Sequence, residues 1–195
     1  MRAGLVVGSG GNLSAREPGA DCCWVTGSGT WLDRLTRADF AQVRIADGTP
    51  VGGPAPSSEL ALHLHTYRVR PDVNAVVHVH PQSVLLLDAL GVRIRLVTTD
   101  HTFYLHPVLR TDYHPPGSVA LARAAAAAVR SGANCVILGH HGCSVLGSTV
   151  ELAHRRVRNL EEAAWLTYRA LAVGRPDVPE CPLVPGDPDR AGPNI

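Results

Sequence analysis

The chain has 195 residues, of which 45% are hydrophobic, so it is long enough and apolar enough for one folded domain with a substantial core. Its 18 basic and 17 acidic residues nearly cancel and the arginines are scattered, which argues against a broad nucleic-acid-binding surface. No apolar run reaches the roughly 18 residues that span a bilayer. We therefore expect a soluble, cytoplasmic protein with no membrane or nucleic-acid partner.

The first half of the chain predicts short strands, turns and one amphipathic helix. The opening segment GSGGNLSAR is rich in small residues and predicts a loop, and Thr36 is a candidate cap for a short helix through Val43. Asp47-Gly48 is typical of a hairpin turn. The other elements predicted here, in chain order, are a strand over 22–26, a turn at 27–29, a helix over 57–69, a strand over 75–80, a helix over 82–90, and strands over 93–99 and 106–111.

The second half predicts two helices and one buried strand. The alanine-rich segment after Ser118 favours a helix that Gly132 ends, and CVILGHHG (135–142) is typical of a buried strand that runs into a loop. Ser148 and Glu151 match a capping box at the start of a long last helix, which ends near Gly174. The alternation of strands and helices predicts a layered α/β domain.

Histidine is the unusual component, with ten residues in the chain. His78 and His80 occupy positions i and i+2 of a predicted strand, so both imidazoles should project from the same face of the sheet. Two such rings are close enough to share a metal ion, although an isolated His-x-His motif more often reflects two structural histidines.

Three further features favour the metal hypothesis. His141 follows a strongly apolar strand, in Gly139-His140-His141-Gly142, where a third imidazole can project from a loop. Pro56-Ser57-Ser58-Glu59 places a carboxylate and two hydroxyls at the start of a helix. The small-residue loops Gly10–Ser14 and Thr26–Gly29 can bring backbone N–H groups close to an anion.

These motifs together resemble the class II aldolase/adducin superfamily, in its L-fuculose-1-phosphate aldolase and L-ribulose-5-phosphate 4-epimerase branch. The matching stretches are GGNLSAR (10–16), VTGSG (25–29), 56–81 and 138–174, in the family's order. The resemblance implies a three-layer α/β/α sandwich with a mainly antiparallel central sheet, assembled as a homotetramer with sites at subunit interfaces. The domain would cover residues 1–174, followed by a proline-rich tail over 175–195 that we expect to be extended.

The resemblance also implies residue roles. His78, His80 and His141 match the metal-binding histidines, and Glu59 matches a carboxylate that ligates the metal at rest and acts as acid–base when substrate displaces it. One divalent ion per subunit is expected, Zn²⁺ foremost, with Mn²⁺, Co²⁺ or Fe²⁺ also compatible. The residues that match the phosphate pocket of the substrate are Asn12, Ser28, Gly29, Ser57 and Ser58.

A second acid–base group is less well defined. Family aldolases use a tyrosine from a neighbouring subunit, and Thr99 aligns with it here. Asp100, His101 and Tyr104 lie close by and are candidate substitutes, and a structural role for each is about as plausible.

The implied function is retro-aldol cleavage of a fuculose- or deoxyribulose-type ketose 1-phosphate, a small phosphorylated sugar. The products would be dihydroxyacetone phosphate and an aldehyde, formed through a metal-stabilised enediolate. The alternative is a sugar-phosphate 4-epimerase, decarboxylase or dehydratase with the same metal site. A non-catalytic adducin-type protein and a zinc hydrolase are disfavoured, since all four ligands and a phosphate pocket are predicted.

Overall fold

The computed structural model describes residues 4–186 and residue 189 as one α/β fold around an eight-stranded sheet. The strands are β1 Asn12–Ala15, β2 Cys22–Thr26, β3 Phe40–Arg44, β4 Pro50–Gly52, β5 Ala75–Val79, β6 Val108–Thr111, β7 Cys135–Leu138 and β8 Gly142–Gly147. The helices are α1 Leu60–Val69, α2 Gln82–Ala89, α3 Thr99–Leu105, α4 Val119–Val129 and α5 Val150–Ala172, with a 3-10 turn at Arg37–Asp39.

The strand order is β4-β3-β2-β1-β5-β8-β7-β6, so β5 lies near the centre. The sheet is mixed, because β6 and β7 run parallel whereas the other neighbouring strands pair antiparallel. All five residues of β5 are buried, which fits its continuous β-branched run. The prediction of an α/β domain is confirmed.

Two hydrophobic cores lie on opposite faces of the sheet. Alternate residues of β5 divide between them: Val77 packs with α2, α3 and α5, whereas Val76 packs with α1 and α4. This division follows from the two-residue period of a strand. None of the helices in the described part of the chain is long and apolar enough to cross a membrane.

Several predicted elements were wrong or displaced. The opening GGNLSAR segment contains strand β1 where a loop was predicted, and β8 was not predicted at all. The helix predicted after Thr36 stops at Asp39, because Phe40–Arg44 pairs along its whole length with β2. The strand predicted over 93–99 is irregular chain followed by α3. The cap of α5 is Thr149 and not Ser148.

The described part of the tail folds back onto its own chain. Cys181 donates its backbone N–H to the carbonyl of Leu96, and Thr102 bonds the carbonyl of Pro182. Asp189 forms an ion pair with Arg156, a fully buried arginine of α5. The described residues of the tail contain no helix and have partners within the same subunit, and the rest of the segment predicted to be extended lies outside the described residues.

Candidate metal centre

Three imidazoles and one carboxylate converge beside the central strand. His78 belongs to β5, His80 follows it, His141 precedes β8 and Glu59 is the N-cap of α1. The ring centroids of His78 lie 4.8 Å from those of both His80 and His141. One ligand atom from each of the four residues lies within 4.8 Å of the others, so a single cation can contact all four.

Hydrogen bonding fixes which nitrogen of His78 faces the centre. Its Nδ1 lies 2.9 Å from the carbonyl oxygen of Cys143, and a carbonyl only accepts, so Nδ1 carries the hydrogen. Its Nε2 lies 2.9 Å from Oε2 of Glu59 and 3.0 Å from Nε2 of His80. A nitrogen lone pair facing a carboxylate is repulsive unless a proton or metal ion lies between them, so this geometry fits a bound cation.

The second carboxylate oxygen supports the same conclusion. Oε1 of Glu59 is buried, has no hydrogen-bond partner among the residues that the structure describes, and lies 3.4 Å from Nε2 of His141. An unpaired buried carboxylate oxygen is unfavourable by several kcal/mol unless a cation neutralises it. Three imidazole nitrogens and one carboxylate oxygen match the donor set of a four-coordinate zinc-type site.

The protonation states also suit metal binding. Burial raises the pKa of Glu59, but a proton shared with Nε2 of His78 and the hydrogen bond from Asn12 lower it to about 2, and a metal ion in place of that proton would act in the same direction. Burial and the neighbouring His78 lower the pKa of His80 to about 4, and burial lowers the pKa of His141. At neutral pH the carboxylate is thus ionised and these two imidazoles are neutral, which are the forms that bind metals.

A glycine allows the ligands to approach one another. A Cβ atom added to Gly142 would lie 2.5 Å from Cδ2 of His80, 2.6 Å from the carbonyl oxygen of Val79 and 3.2 Å from Cε1 of His78. No side chain fits between β8 and the two strand-borne imidazoles. The glycine after His141 is therefore required by close contact with the other ligands.

The loop that carries His141 is held by a buried aspartate. His140 has a left-handed backbone with φ of 55°, and its N–H donates to Oδ2 of Asp88 at 2.6 Å. The Nε of Arg110 donates to the other oxygen of Asp88, also at 2.6 Å. The side chain of Asp88 is 1% exposed and that of Arg110 is 46% exposed, so a buried carboxylate paired with a half-exposed arginine fixes the backbone next to the candidate ligand His141.

A cavity of about 410 Å³ opens beside three of the four candidate ligands. Its lining includes Glu59, His80 and His141 and all five residues predicted for the phosphate pocket, which are Asn12, Ser28, Gly29, Ser57 and Ser58. Gly10, Gly11 and Gly27 of the two small-residue loops also line it, whereas Ser9, Thr30 and Pro116 line it and were not predicted. Three of the four candidate metal ligands and the predicted anion pocket thus share one cavity, although the segments that form it are far apart in sequence.

The backbone N–H groups of this pocket divide into two sets. Those of Ser28 and Ser57 donate to the carbonyls of Ala55 and Thr26 and so shape the loops. Within the part of the chain that the structure describes, the N–H groups of Gly29 and Ser58 make no hydrogen bond. Both residues are exposed, which leaves these two groups available to an anion.

The three candidates for a second acid–base group do not line this cavity in the described chain. They belong to α3, which packs on α5. His101 is fully buried and Tyr104 is 7% exposed, with its hydroxyl 3.0 Å from Arg155, whereas Asp100 is exposed. Of the three, only Asp100 is presented on the surface where another subunit could meet it.

Two further polar residues near the site were not recognised from the sequence. The position of His63 between Leu60 and Leu64 of the apolar stripe favours a packing role, yet its ring bonds Asn12, which in turn bonds Glu59. A signal was present, because His63 lies four residues after Glu59 and therefore on the same face of the helix. Asp88 gave no such signal, since its contact with His140 depends on tertiary structure.

A family model for the Class II Aldolase and Adducin N-terminal domain matches residues 1–168. The chain belongs to this family. Class II aldolases are metal-dependent, and the cluster of three histidines and one glutamate could hold a metal ion in this domain.

Relatives and solved structures agree with this assignment. The chain is 36% identical over 168 residues to an L-fuculose phosphate aldolase from Methanocaldococcus jannaschii, covering 86% of this chain and 89% of the relative. It is 32% identical over 170 residues to a methylthioribulose-1-phosphate dehydratase from Citrobacter koseri, covering 81% and 83%. A solved L-fuculose 1-phosphate aldolase superimposes with a TM-score of 0.82 at 28% identity, covering 91% of this chain and 84% of that one.

Proposed function

We propose that this chain is a metal-dependent aldolase that cleaves a fuculose- or deoxyribulose-type ketose 1-phosphate into dihydroxyacetone phosphate and an aldehyde. The observation that carries the proposal is the shared cavity, in which the metal-binding groups lie beside two loops with free backbone N–H groups. Its volume of about 410 Å³ is within the usual range for small-molecule sites. The similarity to L-fuculose phosphate aldolases supports the same substrate class.

The proposed metal ligands are His78, His80, His141 and, at rest, Glu59, holding one divalent ion per subunit. Zn²⁺ is the first choice because three neutral imidazoles and one carboxylate suit it, with Mn²⁺, Co²⁺ or Fe²⁺ as alternatives. When bound, the metal acts as a Lewis acid that polarises the substrate carbonyl and stabilises the negative charge on its oxygen.

Glu59 is the proposed acid–base group at the reacting carbon. As the bond between carbons 3 and 4 breaks, the second acid–base group, drawn from Asp100, His101 and Tyr104, takes the hydroxyl proton of carbon 4, and that carbon becomes the aldehyde. The bonding electron pair stays with the fragment that carries the phosphate, and its carbon 3 must gain a proton. Glu59 lies in the cavity wall and, once free of the metal, can take up a proton from water and deliver it to carbon 3.

The phosphate holds the substrate in register in this proposal. The N–H groups of Gly29 and Ser58 and the side chains of Asn12, Ser28 and Ser57 surround the phosphate group. Fixing this end places the carbonyl near the metal ligands and lowers the entropic barrier of the reaction.

We also propose the finer features implied by the resemblance. These are a homotetramer with sites at subunit interfaces, a second acid–base group drawn from Asp100, His101 and Tyr104, and a catalytic domain over 1–174 followed by the 175–195 tail. Asp100 is the best placed of the three, since it is exposed. Helix-covered cores on both faces support a three-layer sandwich, and six antiparallel pairings among seven support a mainly antiparallel sheet.

The alternative is a different outcome at the same site, namely dehydration, decarboxylation or 4-epimerisation of a related phosphate. The similarity to a methylthioribulose-1-phosphate dehydratase favours dehydration among these. Loss of water from the substrate leaves its carbon chain intact, so product analysis separates this alternative from cleavage.

The test uses the purified protein after metal analysis. It is incubated with a panel of ketose 1-phosphates, and release of dihydroxyacetone phosphate is followed by its reduction with a coupled dehydrogenase. We expect cleavage that a chelator abolishes and added metal restores. Dehydrated or epimerised product without dihydroxyacetone phosphate would overturn the aldolase assignment.

A variant pair tests the role of Glu59. Glu59→Gln keeps the size of the side chain but removes its charge and its acid–base capacity, so we expect an intact fold and a loss of turnover of roughly 100-fold or more. Glu151→Gln, at an exposed position of α5, is the matched control and should retain full activity. Near-normal turnover in Glu59→Gln would refute the assignment.

A further inference from the structure

A chain of buried polar side chains runs from the carboxylate of Glu59 into the protein interior. Nδ2 of Asn12 lies 3.0 Å from Oε2 of Glu59, and Oδ1 of Asn12 lies 2.6 Å from Nε2 of His63. On the other side of the ring, Nδ1 of His63 lies 2.7 Å from Oγ of Ser14, which is 2.8 Å from the hydroxyl of Tyr67. None of these side chains except Glu59 is among the proposed metal ligands.

The carboxylate determines the direction of every hydrogen bond in this chain. An ionised carboxylate only accepts, so Asn12 must direct its NH₂ group towards Glu59 and its carbonyl oxygen towards His63. His63 must then donate from Nε2, which leaves its Nδ1 as an acceptor for the hydroxyl of Ser14. The oxygen of Ser14 in turn accepts from Tyr67.

Burial keeps this arrangement rigid. His63 is fully buried, and Asn12, Ser14 and Tyr67 are each at most 5% exposed, so water does not compete for their hydrogen bonds. Burial also lowers the pKa of His63 to about 3, which keeps the ring neutral and able to accept at Nδ1. A residue needed only for packing at this position of α1 would not require two directed polar contacts.

We propose that His63 is a positioning residue, which fixes the side-chain amide of Asn12 and through it the orientation of the Glu59 carboxylate. The expected effect of His63 on catalysis rests on the proposed function, whereas its effect on the orientation of Asn12 and Glu59 does not. If the side-chain amide of Asn12 flipped by 180°, its carbonyl oxygen would face Oε2 of Glu59 and the two oxygens would repel each other. The Nε2 hydrogen of His63 prevents this, and Ser14 and Tyr67 hold His63 in the required tautomer.

The orientation gives the two carboxylate oxygens different tasks. Oε2 accepts from Asn12 and also lies 2.9 Å from Nε2 of His78, whereas Oε1 has no hydrogen-bond partner among the described residues and lies 3.4 Å from Nε2 of His141. Asn12 therefore holds Oε2 in place, and Oε1 is the oxygen with no competing hydrogen bond. Loss of the His63 contact removes this distinction without removing any group that touches substrate.

Two substitutions at the same position separate positioning from packing. In His63→Gln, the amide NH₂ takes the place of Nε2 and can still donate to Asn12, but the contact with Ser14 is lost. In His63→Asn, the shorter amide takes the place of Nδ1 and can still bond Ser14, but the contact with Asn12 is lost. Both variants replace the ring by an amide and leave a void, so a structural effect alone would be similar in both.

We expect kcat of His63→Asn to fall roughly 10-fold to 100-fold with little change in KM, the usual effect of removing an outer partner of a metal site. His63→Gln should stay much closer to the wild type in kcat, and the two variants should have similar Tm values. Equal kcat values in the two variants would overturn the proposal.

A second measurement does not depend on activity. Long-range ¹H–¹⁵N NMR of the wild-type protein, without metal and with Zn²⁺, should show His63 as the neutral tautomer protonated at Nε2. The Zn²⁺ affinity of His63→Asn, measured by competition with a chromophoric chelator, should be weaker than that of His63→Gln. A ring protonated at Nδ1 would refute the positioning role even in a protein that cleaves sugar phosphates, whereas inactivity towards every substrate with the expected tautomer would refute only the proposed function.

Discussion

The contact between Gly142 and the ligand imidazoles leads to a prediction about metal binding. In Gly142→Ala the new methyl group lies 2.5 Å from a ring carbon of His80. Non-bonded carbon atoms rest about 3.5 Å apart or more, so the ring or the backbone must move by about 1 Å. Metal–ligand distances tolerate about 0.2 Å, so a shift of this size disrupts the site. Over-packing of this kind also destabilises a protein by about 1 to 3 kcal/mol.

The assay is the rise in Tm on adding metal. At a metal concentration about 100 times Kd, binding stabilises the wild type by about 2.7 kcal/mol, which corresponds to a rise of about 5 to 11 °C for a chain of this size. If the variant binds about 100-fold more weakly, the same concentration contributes about 0.4 kcal/mol and a rise of only about 1 to 2 °C.

The control is Gly52→Ala in the edge strand β4. A Cβ at Gly52 meets no atom within 4 Å, so this variant should keep both its Tm and its metal response. Gly142 does not have a positive φ, so its substitution tests space and not backbone conformation. A Gly142→Ala protein with the wild-type rise in Tm would refute the claim that this glycine is required by the ligands.

Three other predictions concern stability and its pH dependence. In Asp88→Asn, one of the two N–H donors from Arg110 and His140 loses its carboxylate acceptor. We expect the free energy of unfolding, measured by urea denaturation, to fall by about 1 to 3 kcal/mol and Zn²⁺ binding to weaken. Asp47→Asn, at an exposed position, is the control and should leave metal binding unchanged. Thr149→Ala removes the side chain that caps α5 and should cost about 1 kcal/mol; an unchanged Tm would show that the cap is dispensable. Burial lowers the pKa of His63 from 6.5 to about 3, so between these pH values the unfolded chain binds a proton that the folded chain does not. The free energy of unfolding therefore decreases as the pH is lowered through this interval, by at most about 1.4 kcal/mol per pH unit. His63→Gln should therefore lose less stability than the wild type between pH 6.5 and 3, since His80 and His141 titrate in both proteins.

The metal ligands could be proposed from the sequence because each lies in a local pattern with a fixed geometry. A strand places His78 and His80 on one face whatever surrounds it, and Glu59 comes at the start of a helix that Pro56 and the apolar stripe indicate. The convergence of His141 with these residues depends on pairing between β5 and β8, which local pattern does not specify. The family resemblance supplied that part.

The failures have a common physical origin in tertiary context. β1 and β8 are rich in glycine, serine and asparagine, which locally favour loops, yet both pair with the buried strand β5 and gain their stability from it. Conversely, residues 93–99 contain β-branched side chains that favour a strand, but Thr98 caps α3 through the N–H of His101 and the chain turns into a helix. The polar partners His63 and Asp88 act through contacts between distant segments.

The three segments that carry the proposed ligands are separated in sequence. Glu59 lies at the start of a helix on one face of the sheet, His78 lies in β5 with His80 just after it, and His141 lies in the turn between β7 and β8. An ion bound by all of them works as a cross-link that no covalent bond supplies, since the five cysteines are free. Metal supply would then govern how long the folded chain resists opening and proteolysis, in addition to how fast it turns over substrate.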